Sequence, residues 1–117
     1  MAITVSEITH SSVKKIDYTW TATTTGTTSG ASVSSYDGEL LRVVASNTVM
    51  AAGTIRLLDS DSNDLLMGAG VLTTGITYFA PTTGGAAGLG TVTNSPLTLE
   101  HTVSTTGGTG HVIVCIR

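Results

Sequence analysis

Charge is scarce in this chain: 11% of its 117 residues are Asp, Glu, Lys or Arg, under half the roughly 25% of an average domain. The five Lys and Arg residues form no cluster beyond the pair Lys14 and Lys15, which leaves no surface for a phosphate backbone and excludes nucleic acid as a partner. Aromatic rings are equally rare at 4%, namely Tyr18, Trp20, Tyr36, Tyr78 and Phe79, too few for a base-stacking or glycan platform. Cys115 stands alone, so no internal disulfide can form, and the start MAITVSEITH has neither the basic residues nor the apolar run of a secretory signal. Both features imply synthesis and folding in the cytoplasm. No apolar run approaches the roughly 20 residues of a membrane helix, so a membrane is not an expected partner and the chain should be soluble.

What fills the space instead is small. Thr (23), Gly (14) and Ser (12) account for 49 positions, turn-forming or β-tolerant types that leave few helix formers. Mean hydropathy is nonetheless positive at +0.31, which rules out a charge-driven disordered chain. The length suits one domain with one core.

Period two is plain between Val13 and Ala22, where Ile16, Tyr18, Trp20 and Ala22 alternate with Lys15, Asp17, Thr19 and Thr21. This predicts a strand with one buried face. Residues 23 to 35 read as a Thr, Ser and Gly loop leading into a short strand. Asp37-Gly38 then predicts a tight turn between Val33 to Tyr36 and Glu39 to Ala45, because both residues tolerate positive φ. Leu40, Leu41, Val43 and Val44, broken only by Arg42, predict a strand buried on both faces or near a sheet centre. Further strands fit 54 to 58, 71 to 74, 76 to 79, 97 to 103 and 111 to 116, and Asp64 to Met67 has the composition of one helical turn ended by Gly68. Residues 80 to 91, with four Gly and no charge, read as a mobile loop able to order against a neighbour. No internal repeat is present. The expected architecture is all-β: an antiparallel β-sandwich, jelly-roll-like, of seven or eight strands with almost no helix. Residues 1–12 form an N-terminal arm and 13–117 a single domain. The arm is either tied to a neighbouring sheet edge or a disordered end.

Chemistry is thin. The run Asp59-Ser60-Asp61-Ser62-Asn63-Asp64 begins as a calcium loop does, with oxygens at alternate positions, but Asp64 stands where such a loop needs Gly and Gly70 where it needs a bidentate Glu. A solvated turn is the reading. His10, His101 and His111 have no metal-motif spacing and read as isolated surface residues. Cys115, with His101 or His111 as base, is a formal nucleophile, yet its apolar strand would bury an inert thiol. There is no G-x-S-x-G elbow, and the Gly-rich stretches lack the Lys of a phosphate loop. No catalytic residue, metal or cofactor is expected. Trp20 and Tyr18 belong to the core.

Three blocks together, Val13-Lys14-Lys15-Ile16-Asp17-Tyr18-Thr19-Trp20-Thr21, Ser29-Gly30, and Tyr36-Asp37-Gly38-Glu39-Leu40-Leu41-Arg42-Val43-Val44, resemble small virion proteins of tailed bacteriophages. The stretch from Leu57 to Gly70, the Asn-Ser-Pro-Leu-Thr-Leu element at 94 to 99 and the closing strand at 110 to 116 extend the resemblance along most of the chain. It implies a non-enzymatic capsid decoration, or cement, protein of jelly-roll-like fold. Its partners would be the major capsid protein and further copies of itself, as a homotrimer or homodimer, and its place the outside of the virion head. The uncharged loop at 82 to 90 departs from the pattern. Expected contact residues are Ala2, Ile3, Thr4 and Val5 in the arm and Gly84, Gly85, Ala86, Ala87, Gly88 and Leu89 in that loop. Two other readings stay open: a minor component of tail, head fibre or head-to-tail junction, and a carbohydrate- or receptor-binding module.

Overall fold

The computed structural model describes residues 3–32, 38–47, 53–66, 68, 70–79, 91–92, 96–104 and 106–117. Ten strands run through them: β1 (Ile3–His10), β2 (Val13–Thr21), β3 (Gly26–Ala31), β4 (Gly38–Asn47), β5 (Gly53–Leu58), β6 (Val71–Leu72), β7 (Gly75–Phe79), β8 (Thr91–Val92), β9 (Thr98–Val103) and β10 (Thr109–Ile116). There is no helix among the described residues.

Every pairing is antiparallel. One sheet has the order β1-β2-β10-β4-β7, with β8 pairing the start of β4, and the other has the order β3-β9-β5-β6. The pairs nest: β2 with β10 and β4 with β7 in the first sheet, β3 with β9 and β5 with β6 in the second. Successive nested pairs alternate between the sheets, which is the strand order of a jelly roll. The antiparallel sandwich is therefore as expected. The strand count is higher because residues 3–10, set apart above as an arm, form a strand of the domain's own sheet, because β3 lies within the stretch 23 to 35 read as a loop, and because the two-residue β8 was not expected.

Local pattern explains most of this. On β2 the even residues Ile16, Tyr18 and Trp20 are buried and face the other sheet, each such side chain contributing roughly 1.5–3 kcal/mol by leaving water. The Tyr18 hydroxyl crosses to the opposite sheet and donates to the Leu97 carbonyl at 2.7 Å, so burial leaves it satisfied. β1 matches that alternation: Ile3 lies opposite Trp20 and Val5 opposite Tyr18, and both pack against the core while Thr4 and Ser6 face out. Gly30 on β3 is what admits them, since a Cβ there would stand 2.9 Å from Ile3 Cγ2 and 3.2 Å from Val5 Cγ2. The β1 and β3 edges of the two sheets are thereby drawn together.

β4 sits between β10 and β7, as its nearly continuous apolar run predicts. Leu40 and Val43 are both buried although three positions apart, a spacing that would put them on opposite faces of a regular strand. The register resolves this: Cys115 faces Arg42 and Ile116 faces Leu40, so Leu41 is an extra residue, a β-bulge that restores the phase. Val112, Val114 and Ile116 of β10 complete the inner face.

Two local expectations change. Asp64 to Met67 is not a helical turn in its described part. Asp64 bridges Leu58, and its Oδ1 accepts from the backbone N–H groups of Leu57 (3.2 Å) and Leu66 (3.0 Å), so the segment is held against β5. A short helix gains too few hydrogen bonds to compete with these. Residues 33–37 lie outside the described residues, and with them the turn expected at Asp37-Gly38; β4 finds its partners in β10, β7 and β8. Residues 80–90 also lie outside them.

Candidate interaction face

Pleating gives each sheet one face toward the core and one toward solvent, and the two outer faces differ in kind. On the smaller sheet the outward residues are Thr27 and Ser29 of β3, Glu100 and Thr102 of β9, and Thr54 and Arg56 of β5. Thr27 and Thr102 share a hydroxyl hydrogen bond at 2.9 Å, and Arg56 Nη1 lies 3.0 Å from Glu100 Oε1. This is an ordinary solvated surface.

The larger sheet presents three outward rows, fixed by the pairing register. One runs Ser6, Asp17, Ile113, Val44, Tyr78; the next runs Thr4, Thr19, His111, Ser46, Ile76; the third runs Ile8, Lys15, Cys115, Arg42. Polar residues occupy the β1 and β2 half of the first two rows. In the half formed by β10, β4 and β7 the first row is apolar and the second ends in Ile76 after polar His111 and Ser46, so that Tyr78, 65% exposed, and Ile76, 62% exposed, stand beside half-buried Val44 and Ile113. Asp17 Oδ1 and His111 Nδ1, 3.1 Å apart, mark the boundary between the halves. Exposed large apolar residues gathered beside one another on one sheet face mark a candidate contact surface.

The residues singled out for chemistry are scattered. Cys115 faces out and is half-buried, not enclosed in the core as its strand suggested, because the inner phase of β10 belongs to Val112, Val114 and Ile116. His111 shares its outer face but lies four residues along the strand, roughly 13 Å at the usual rise. His101 is on the other sheet and inside. The surface reading of His101 is overturned: the ring is fully buried, 4.5 Å from the Trp20 ring centroid at an interplanar angle of 61°, and neither ring nitrogen has a hydrogen-bond partner. Burial alone pushes its pKa down to about 4, so the imidazole is neutral at pH 7. The signal was in the sequence, since Leu97, Leu99, His101 and Val103 share one phase of a period-two run.

At the 59–63 turn the Asp59 carboxylate is engaged by its own chain. Oδ1 accepts from the N–H groups of Asn63 (2.9 Å) and Asp61 (3.0 Å), and Oδ2 lies 3.3 Å from Asn63 Nδ2. The Asn63 N–H chiefly holds the acid below its ordinary value, against an opposing contribution from burial. Asp64 is occupied likewise by Leu57, Leu66 and Gly68. No group of three or more His, Cys, Asp or Glu is arranged for a metal among the described residues. An open hollow of about 440 Å³ between Thr21 to Thr23 and the 106–109 turn is lined only by Thr, Gly and Ala, with no aromatic or charged side chain.

Of the expected contact residues, Ile3 and Val5 turn inward and Thr4 faces out on the polar half of the larger sheet. Ala2 and Gly84 to Leu89 lie outside the described residues. The exposed pair Ile76 and Tyr78 was not foreseen as a surface. Its segment alternates Ile76, Tyr78 against Thr77, Phe79, and pattern alone does not say which phase is buried. No protein-family model, curated protein or solved structure matches the chain.

Proposed function

We propose that this chain is a capsid decoration protein of the tailed-bacteriophage type, a non-enzymatic module that binds the outer surface of the head and bridges major capsid protein subunits. The observation that carries the reading is the half-apolar outer face of the larger sheet, with Ile76, Tyr78, Val44 and Ile113 adjacent on β7, β4 and β10. A face of this kind suits another protein's surface better than a solute. The sequence resemblance along most of the chain and the jelly-roll strand order support it, the latter as analogy of fold only.

The test is binding of the purified chain to heads that lack it, read by co-sedimentation and by copy number relative to the major capsid protein. The expected result is a ratio near one or a simple fraction of it, with Ile113→Glu weakening binding about tenfold or more by placing a charge in the contact. About a dozen copies or fewer per particle would instead mark a tail or portal component. Absence from heads, with glycan binding lost on Tyr78→Ala, would mark a receptor-binding module.

A further inference from the structure

The two sides of the sandwich are finished differently. On one side β1 packs over β3 through Ile3, Val5 and Gly30, and β1 itself carries Glu7. On the other, β7 ends its sheet, pairing among the described residues only with β4, and β6 ends the second sheet. Free sheet edges in proteins that remain single are commonly guarded by Lys, Glu, Pro or a bulge. β7 has none of these in its sequence Gly-Ile-Thr-Tyr-Phe, and the chain has no charged residue at all from Leu65 to Leu99.

We infer that β7 pairs antiparallel with β7 of a second copy of this chain, joining two larger sheets into one across a twofold axis at Thr77. The side chains fit that symmetry. Ile76 and Tyr78 flank Thr77 on the same outer face, so a twofold centred on Thr77 places Ile76 of each copy opposite Tyr78 of the other. This β-branched and aromatic cross-strand pair forms twice. The edge carries no charge, so two identical copies meet without like-charge repulsion and without burying an ion. An extended strand of a different protein would satisfy the backbone equally, but only the second copy is already complementary in both side chains. The contact is small against the roughly 1,200–2,000 Å² of stable complexes, which makes the dimer reversible. The pairing stands on the edge strand alone, whatever surface the dimer covers.

Light scattering coupled to size exclusion, or analytical ultracentrifugation across a concentration series, tests it on the full chain. The wild type should show a monomer–dimer equilibrium. Ile76→Lys and Tyr78→Glu should each raise the dissociation constant about tenfold or more, and Thr27→Lys on the opposite sheet should leave it unchanged. Mixing Ile76→Lys with Tyr78→Glu should recover a heterodimer, because the register sets those two positions opposite each other. Circular dichroism identical to wild type confirms that the variants fold, as expected for exposed positions. A strict monomer, a trimer, a dimer indifferent to both edge charges, or no recovery on mixing would each overturn the pairing. Head binding is read separately. A monomer that still decorates heads refutes only the pairing, and a dimer that ignores heads refutes only the decoration role.

Discussion

Acid should loosen this sandwich well above the range where its carboxylates titrate, and His101 is the reason. The ring is fully buried on β9, against Trp20 of the facing sheet, with no partner for either nitrogen. Its pKa falls from 6.5 to about 4 through desolvation, so between those values the unfolded chain binds a proton that the folded chain refuses. The folded value lies below the unfolded one. Stability is therefore greatest above pH 6.5 and declines as pH falls toward 4, where the loss levels off. Linkage gives about 2 kcal/mol lost between pH 7 and pH 5, and about 3 kcal/mol by pH 4. That is a large share of the roughly 5–15 kcal/mol that holds a domain together. Urea unfolding followed by Trp20 fluorescence at pH 7, 6 and 5 measures it, with His101→Phe as the comparison. The variant keeps an aromatic ring against Trp20 and removes two unpaired polar atoms. It should be at least as stable as wild type at pH 7 and lose about 2 kcal/mol of the pH dependence. Other titrating groups contribute equally to both proteins and cancel. Parallel pH profiles for wild type and His101→Phe would refute the reasoning.

Trp20→Ala should cost about 3–5 kcal/mol in the same unfolding experiment, read by circular dichroism, because the ring is buried between the sheets and Gly110 leaves room for it. Asp59→Ala removes the acceptor of two backbone N–H groups at the 59–63 turn and should cost about 1–3 kcal/mol. EDTA should leave the wild-type melting temperature unchanged, and a calcium-dependent rise of several degrees would show that the turn binds a cation instead. Arg56→Ala should cost under about 1 kcal/mol, since its ion pair with Glu100 is on the solvated face, and the effect should shrink in high salt.

The sequence was legible where one residue decides its own burial. Ile16, Tyr18 and Trp20 announce their face by alternation with Lys15, Asp17 and Thr19, and the apolar run at 40 to 44, broken only by Arg42, announces a strand with neighbours on both sides. Pairing was not legible, because β10 is inserted between β2 and β4 by contacts between residues far apart along the chain, as Val112 with Tyr18 and Val112 with Ala45, and nothing local encodes a partner. The arm shows the same limit. Ile3 and Val5 look apolar enough to seek any sheet edge, and only the register with Tyr18 and Trp20 reveals that they complete their own. His101 and Tyr78 fail in opposite directions. Residue type led to the surface for the histidine, although its phase was that of Leu99 and Val103. The tyrosine's phase was undecidable until Phe79 took the inner position.

The scarcity of charge then acquires a physical sense. A domain that circulates alone uses charge to stay apart from its copies, and a net charge of −3 does so weakly. In this chain the charges that exist lie on β1, β2, β4, β5, β9, the 59–64 turn, Asp37 and the end of the chain, while Leu65 to Leu99, which includes the β6 and β7 edge left unpaired among the described residues, has none. The smaller sheet, by contrast, solvates its outer face with Thr hydroxyls and one ion pair. The described residues are thus polarised, with charge and hydroxyls on one side and an uncharged β6 and β7 edge on the other. An unguarded edge is a liability for a free monomer and an asset for a protein whose working state is a packed array. In such an array, a face too small to bind tightly alone becomes secure when twofold pairing lets two copies of it engage a repeating surface together.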